Sequence, residues 1–158
     1  MTPSELLDYF HQLAATATSL EQLQRTIVKE IAENLSHCNW TGFYMLDRVL
    51  EGSDPQTLVL GPYVGEPTPH VRIPVSQGIC GAAVATGATQ IVDDVHLDPR
   101  YLSCSILTKS EIVVPIRANG KIVGEIDIDS HNHAAFTEID RAFLEETAQI
   151  VGNYIASK

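Results

Sequence analysis

Residues 111–129 read EIVVPIRANGKIVGEIDID, and this stretch decides the fold. Two apolar, β-prone segments, 112–116 and 121–129, flank the dipeptide Asn119-Gly120. Asn-Gly is a strong signal for a tight hairpin, because both central positions of that turn need a positive φ. The stretch therefore predicts two antiparallel strands at the centre of a sheet.

The segments before this hairpin supply the rest of the sheet. Short β-prone runs separated by turn residues predict further strands, at 40–47, 57–63, 71–73 and 90–92. An alanine-rich run at 81–86 predicts a short helix. Residues 93–110 show no sustained periodicity and predict a long loop, and loops of that length in a small domain are often functional.

Amphipathic helices are predicted at both ends of the chain. Thr2 and Ser19 each begin a capping-box pattern that opens a segment with apolar residues at helical spacing. A third helical pattern runs from Thr137 to near the C-terminus. On the second helix the apolar residues lie four positions apart, at Leu23, Ile27, Ile31 and Leu35.

Together these elements predict an α+β fold in one domain spanning residues 1–158. Residues 1–36 form the N-terminal helices, 39–129 the sheet and its pocket loops, and 137–157 the C-terminal helix. We expect the helices to pack on one face of a central antiparallel sheet, with a loop-covered pocket on the other face.

Composition narrows the range of functions. The net charge of −10 and the pI near 4.8 disfavour nucleic acid and anionic membranes as partners. The chain has no apolar run long enough to span a membrane and no signal-peptide pattern, so we expect a cytoplasmic protein. Three cysteines without an export signal predict free thiols rather than a disulfide framework.

Two of the cysteines are candidates for redox chemistry. Cys104 lies in the long loop with Lys109 nearby, an arrangement that favours a reactive thiolate. Cys80 lies near the predicted start of the 81–86 helix, where the helix dipole favours a thiolate by about 0.3–1 kcal/mol. For either residue the alternative is a small buried hydrophobe. We expect Cys38, which follows the second helix, to be structural.

Acidic and aromatic residues cluster on the predicted strands. Glu111, Asp127 and Asp129 fall on adjacent strands, and period-two alternation puts the two aspartates on the same face. Grouped carboxylates can bind an ammonium group, and one that keeps its proton can act as an acid; the alternative is a solvated sheet face. Trp40 and Tyr44 are candidates for an apolar pocket wall, with simple core packing as the alternative.

A metal site is not predicted. The histidines at 70, 96, 131 and 133 are possible ligands. His131 and His133 form a short loop pair of a kind that is usually solvated, and no third ligand is implied at a recognisable spacing. We therefore expect no bound metal.

The order of the motifs resembles the GAF domain family over roughly residues 20–157. The motifs that carry this resemblance are Asp98-Pro99-Arg100-Tyr101, Ser110-Glu111-Ile112, the strand at 123–130 and Phe136. The resemblance implies the GAF fold. It leaves the function open, because GAF domains bind cyclic nucleotides, tetrapyrroles or small metabolites, or only dimerise.

Within that family the chain is similar to free methionine-R-sulfoxide reductases. The matching motifs are residues 39–44, 60–63, 71–74, 78–81 and 94–96, together with the Cys80–Cys104 and Cys104–Glu111 intervals. The resemblance implies that Cys104 attacks the sulfoxide and becomes a sulfenic acid, and that Glu111 and Asp129 assist protonation. It also implies a substrate pocket formed by Trp40, Tyr44, Asp127, Glu111 and Asp129. The implied reductant is thioredoxin, with no bound cofactor.

The chain departs from the reductase pattern at His70, where that family carries a further cysteine. Three interpretations stay open: Cys80 resolves the sulfenic acid, an external thiol attacks Cys104 directly, or the chain is not a reductase. The main alternative function is a non-catalytic GAF module that binds a small molecule in signalling. A third possibility is a dimerisation scaffold with an empty pocket, which fits the amphipathic terminal helices, and we expect a homodimer.

Overall fold

The protein, seen here in a computed structural model that describes residues 1–103 and 105–158, is built on a six-stranded sheet. The strands are β1 Trp40–Leu46, β2 Thr57–Val64, β3 Arg72–Pro74, β4 Gln90–Val92, β5 Ser110–Ala118 and β6 Lys121–Ser130. The helices are α1 Pro3–Thr16, α2 Leu20–Asn34, α3 Gly78–Thr86 and α4 Glu138–Ala156, with short 3₁₀ turns at Asp47–Leu50 and Val95–Leu97. The strand order is β3-β2-β1-β6-β5-β4, and each neighbouring pair is antiparallel.

The predicted hairpin is confirmed. Asn119 and Gly120 have φ angles of 54° and 77°, and Ala118 pairs with Lys121 across the turn. The long strand β6 lies in the middle of the sheet between β1 and β5, whereas β5 lies one position further out, next to the edge strand β4. The hairpin therefore connects the central strand β6 to β5, which lies between the centre of the sheet and its β4 edge.

The three long helices cover one face of the sheet, as predicted. Alternate residues of β5 and β6, such as Ile112 and Ile126, point into this layer and pack against buried residues of the helices, such as Phe10, Ile27 and Leu144. The helix starts follow the predicted signals: Thr2 and Ser19 accept backbone hydrogen bonds as N-caps, and Thr137 forms a capping box with Asp140. No described helix combines the length and apolar character needed to cross a bilayer.

The opposite face of the sheet is covered by α3 and by the loops around it. A second apolar cluster, which includes Leu58, Ile79 and Val113, packs there. Helix α3 begins at Gly78, three residues before the predicted start. Glycine allows this earlier start, because Gly78 has a φ of 73° and a Cβ at Gly81 would lie 2.7 Å from the Val75 carbonyl oxygen. Cys80 consequently lies inside the first turn of the helix.

Candidate functional site

The candidate active site is a pocket between the sheet and its covering segments. Its floor consists of residues from β1, β5 and β6, and its cover consists of α3 and two loops that contribute His70 and Leu102. The free volume is about 20 Å³, which is close to the space that one water molecule needs. This free volume is smaller than an amino-acid-sized ligand.

The strand register brings the predicted carboxylates together. Asp129 pairs with Glu111 on one side and with Trp40 on the other, and Asp127 pairs with Gly42. Because residues two apart share a face, all three carboxylates point away from the helices and into the pocket. Each is nearly buried, with 2–6% of its surface exposed. A solvated sheet face, the alternative interpretation, is therefore wrong.

The aromatic wall depends on a glycine. A Cβ at Gly42 would lie 2.5 Å from the Trp40 ring, so the indole can lie flat across the strand only because position 42 has no side chain. Trp40 stacks on Tyr63 and Tyr44, with ring centroids 5.4 and 6.3 Å apart, and its Nε1 donates a hydrogen bond to the Glu66 carbonyl oxygen. Trp40 is thus both buried core and pocket wall.

His70 connects the two covering loops. The Tyr44 hydroxyl donates a 2.7 Å hydrogen bond to the His70 carbonyl oxygen. The His70 Nε2 atom lies 2.9 Å from the Ser103 carbonyl oxygen. Because a carbonyl oxygen only accepts, this nitrogen carries the hydrogen. His70 therefore holds the segment just before position 104 against the pocket, a role that the sequence did not suggest.

The carboxylate cluster retains a proton. Burial raises the pKa of Glu111 well above its usual value, and the neighbouring negative charges of Asp127 and Asp129 raise it further. Burial also raises the pKa of Asp127, and hydrogen bonds from Glu111 and Cys80 partly offset this effect. We place the proton on Glu111, where it can be shared with Asp127. The pocket thus contains a neutral acid beside an ionised one.

Cys80 faces these carboxylates as a protonated thiol. Its Sγ donates a 3.5 Å hydrogen bond to Asp127 Oδ2. Burial raises the pKa of Cys80 well above the usual thiol value, and the negative charge of Asp127 adds to the effect. The expectation that the helix N-terminus favours a thiolate here is wrong, because burial and the neighbouring charge outweigh the dipole, and the alternative of a buried thiol is the one observed.

Of the other two cysteines, the structure describes Cys38 but not Cys104. Cys38 is buried on the helical side of the sheet, and burial raises its pKa to about 12, as expected for a structural thiol. Cys104 lies outside the described residues, so its role and its distance from Cys80 stay predictions.

Glu125 is a buried acid that the sequence analysis missed. It has no exposed surface, and its neighbours across β1 and β5 are Tyr44 and Pro115. Neither carboxyl oxygen has a well-formed hydrogen bond within residues 1–103 and 105–158. Burial raises its pKa well above the usual value. The signal was available, because the alternation that places Asp127 and Asp129 on one face includes position 125.

One group of these side chains could hold a metal ion. Ligand atoms of Cys80, Glu111 and Asp127 all lie within 4.8 Å of one another, and a thiol with two carboxylates is a donor set that transition metals accept. The sequence analysis did not foresee this set. Its expectation of no metal stays a prediction.

Comparison with known proteins agrees with the fold. The GAF domain profile matches residues 19–155, and the chain belongs to the GAF domain family. Among its relatives, the free methionine-R-sulfoxide reductase of Escherichia coli is 37% identical over 137 residues, which cover 87% of this chain and 78% of the relative. The corresponding Saccharomyces cerevisiae enzyme is 44% identical over 114 residues, which cover 72% of this chain and 61% of the relative.

Solved structures are also similar to this chain. The X-ray structure of free methionine-R-sulfoxide reductase from Neisseria meningitidis, in complex with its substrate, superposes with a TM-score of 0.88 at 33% identity. The match covers 98% of this chain and 90% of that one. The predicted GAF fold, with helices on one face and a covered pocket on the other, is confirmed.

Proposed function

We propose that this protein is an oxidoreductase that reduces free L-methionine-R-sulfoxide to methionine. Relatives named for this activity support the proposal, since they match most of the chain. The single observation that carries it is the buried group formed by Glu111, Asp127 and Asp129 beside a thiol and a tryptophan. Sulfoxide reduction needs an acid, a thiol and a site for a small amino acid, and this pocket combines all three chemistries.

Each part of the substrate has a suitable partner in the pocket. The carboxylates of Asp127 and Asp129 are placed to receive the substrate ammonium group, which compensates their negative charge. The methyl group and sulfur suit the face of Trp40, because sulfur packs favourably against aromatic rings. Tyr44 supports the Trp40 ring from the same strand. Recognition of the ammonium group favours free methionine sulfoxide over a residue within a peptide chain.

In the first chemical step, Cys104 is the nucleophile and Glu111 the acid. Glu111 gives its proton to the sulfoxide oxygen while the Cys104 sulfur accepts that oxygen as hydroxyl. The sulfur–oxygen bond of the substrate breaks, a sulfur–oxygen bond forms on Cys104, and the thiol proton returns to Glu111. The sulfoxide is reduced to methionine, and the thiol is oxidised to a sulfenic acid.

In the second step, Cys80 resolves the sulfenic acid. Its sulfur attacks Cys104, a disulfide forms, and the sulfenic hydroxyl leaves as water with the proton of Cys80. The dithiol of thioredoxin then reduces the disulfide, so that no bound cofactor is needed. Cys80 is favoured for this role because it lines the pocket and because His70 replaces the cysteine found in similar reductases.

The test is NADPH consumption by the purified protein with thioredoxin and thioredoxin reductase. We expect turnover of the R epimer of free methionine sulfoxide and none of the S epimer. Cys104→Ser should abolish turnover of the R epimer, and Glu111→Gln should lower kcat by about a hundredfold or more. Cys38→Ser is the matched control and should retain activity. If folded, reduced protein turns over neither epimer, the proposal fails and a ligand-binding GAF module takes its place.

The role of Cys80 has its own test. In Cys80→Ser, one equivalent of methionine is released per protein in a rapid first turnover, but multiple turnover with thioredoxin is lost. If thioredoxin sustains normal turnover of Cys80→Ser, an external thiol attacks Cys104 directly and Cys80 has no resolving role.

A further inference from the structure

We propose that Cys80, Glu111 and Asp127 form a binding site for a transition-metal ion such as Zn²⁺, and that the bound ion closes the pocket to its organic ligand. The three side chains come from α3, β5 and β6 and meet inside the pocket. Their ligand atoms all lie within 4.8 Å of one another. The site itself does not depend on the proposed function, whereas its consequence for catalysis rests on that function.

The spacing of the sulfur and carboxylate atoms suits a tetrahedral ion. In zinc sites the metal lies about 2.3 Å from a cysteine sulfur and about 2.0–2.2 Å from a carboxylate oxygen. With the tetrahedral angle of about 109° at the metal, these bond lengths place the two ligand atoms about 3.5–3.7 Å apart. Cys80 Sγ lies 3.5 Å from Asp127 Oδ2. A metal ion can therefore bridge these two atoms without a movement of either side chain.

Asp127 also has a second oxygen that favours a cation. Only 6% of the surface of this residue is exposed, and its Oδ1 atom is buried without a well-formed hydrogen bond within residues 1–103 and 105–158. A buried carboxylate oxygen in this state is stabilised by a nearby positive charge. None of the described residues that line the pocket is lysine or arginine. A metal ion supplies the positive charge that these side chains do not.

The size of the pocket and the type of ligand atom select the ion. The free volume of about 20 Å³ is close to the space of one water molecule, so a single ion fits where a larger ligand does not. A thiolate with two carboxylates suits Zn²⁺ or Co²⁺, whereas Mg²⁺ and Ca²⁺ prefer oxygen ligands alone. Three protein ligands leave the fourth position of the tetrahedron for water.

Binding exchanges protons for the ion. The Cys80 thiol and the Glu111 carboxyl group each release a proton to solvent, and sulfur–metal and oxygen–metal bonds form. No electron is transferred, and two protons leave for one divalent ion, so the net charge of the buried group does not change. The ion then occupies the carboxylates that the substrate ammonium group needs, and it holds the thiol needed for the resolving step. In the proposed reaction it is therefore an inhibitor and not a cofactor.

Co²⁺ tests the site without turnover, because a bond between cobalt and a thiolate absorbs strongly in the near ultraviolet. All proteins carry Cys104→Ser, which removes the thiol that lies outside the described residues. We expect this protein to bind one Co²⁺ per chain and to show the thiolate band, and we expect Zn²⁺ but not Mg²⁺ to displace the Co²⁺. Adding Cys80→Ser should abolish the band, and adding Asp127→Asn should weaken Co²⁺ binding by at least about tenfold. Cys38→Ser is the matched control and should leave the band unchanged, because Cys38 lies on the helical side of the sheet.

A competition experiment tests whether the ion closes the pocket. Free L-methionine-R-sulfoxide is added to the cobalt-loaded Cys104→Ser protein, which lacks the proposed nucleophile. Its binding to the metal-free protein is measured separately by calorimetry. We expect the sulfoxide to bind the metal-free protein and to weaken Co²⁺ binding progressively as its concentration rises.

Several results would overturn the proposal. A thiolate band that survives in Cys80→Ser places the ion elsewhere, and a Cys104→Ser protein that binds no Co²⁺ has no such site. Should Cys80→Ser not fold, an unchanged Co²⁺ affinity in Asp127→Asn refutes the site instead. Sulfoxide that binds the metal-free protein without displacing Co²⁺ refutes the closing of the pocket. Sulfoxide that does not bind the metal-free protein counts against the proposed function, and the cobalt band in the variants still decides the metal site.

Discussion

The neutral state of Glu125 predicts how the stability of the protein depends on pH. In the folded protein the carboxyl group is fully buried and has a raised pKa. In the unfolded chain a glutamate titrates near its usual pKa of about 4.3. Replacing Glu125 with glutamine keeps the size and removes the titration, so the comparison isolates this one group.

The sign of the effect follows from the protons bound by each state. Below a pH of about 4.3 both states hold the proton, and Glu125 causes no loss of stability. Above that pH the unfolded chain releases the proton and the folded protein keeps it, so unfolding becomes more favourable as the pH rises. The loss amounts to about 1.4 kcal/mol per pH unit and ends when the pH reaches the folded pKa.

Urea denaturation at a series of pH values measures this loss. The single tryptophan, Trp40, stacks on two tyrosines in the folded protein and reports unfolding by fluorescence. We expect the free energy of unfolding of Glu125→Gln to rise relative to wild type by about 1.4 kcal/mol for each pH unit above about 5, until the folded pKa is reached.

Glu51→Gln is the matched control. This residue is exposed, so the same chemical change should leave the two pH curves parallel. If Glu125→Gln also gives a curve parallel to wild type, the folded protein carries an ionised Glu125. The assignment of a proton to Glu125 would then be refuted.

Three further substitutions test the packing around the site. Gly42→Ala places a methyl group against the Trp40 ring, and we expect a loss of about 1–3 kcal/mol in urea denaturation together with a raised KM for the sulfoxide. Gly152→Ala puts a Cβ against the Arg117 carbonyl oxygen, between α4 and β5. We expect it to lose more stability in urea denaturation than Gly42→Ala, whereas KM for the remaining folded enzyme is unchanged. Cys38→Ser buries a hydroxyl among apolar side chains, and we expect it to lose about 1–3 kcal/mol of stability by urea denaturation while kcat is retained.

The features that the sequence predicted best depend on local geometry. The positive φ angles of Asn119 and Gly120 and the capping residues Thr2 and Ser19 are determined within a few residues, so their signals can be read directly. The alternation of Asp127 with Ile128 also fixes which face each side chain occupies. These signals were enough to predict the hairpin, the starts of α1 and α2 and the carboxylate face.

The features that the sequence did not predict depend on tertiary contacts. The thiolate expected at Cys80 rested on a helix-dipole effect of about 0.3–1 kcal/mol. Placing a charge in a buried site costs several kcal/mol, and the negative charge of Asp127 beside the thiol increases this cost. The burial of Cys80 cannot be read from spacing, because it results from how α3 packs on the sheet. The connection from His70 to Ser103 likewise joins two loops that are distant in sequence.

The arrangement of acids also suggests how substrate recognition leads to proton transfer in the proposed reaction. Among the described residues that line the pocket, Glu111, Asp127 and Asp129 are acidic and none is lysine or arginine. The free protein therefore holds a proton on Glu111 that burial keeps in place. An arriving ammonium group brings a positive charge to the cluster and lowers the cost of ionising its carboxyl groups. The proton of Glu111 then becomes easier to donate at the moment when a sulfoxide oxygen is present to receive it. A substrate without the ammonium group should therefore have a lower kcat as well as a higher KM. The reason is that the charge that binds the substrate also makes the Glu111 proton easier to donate.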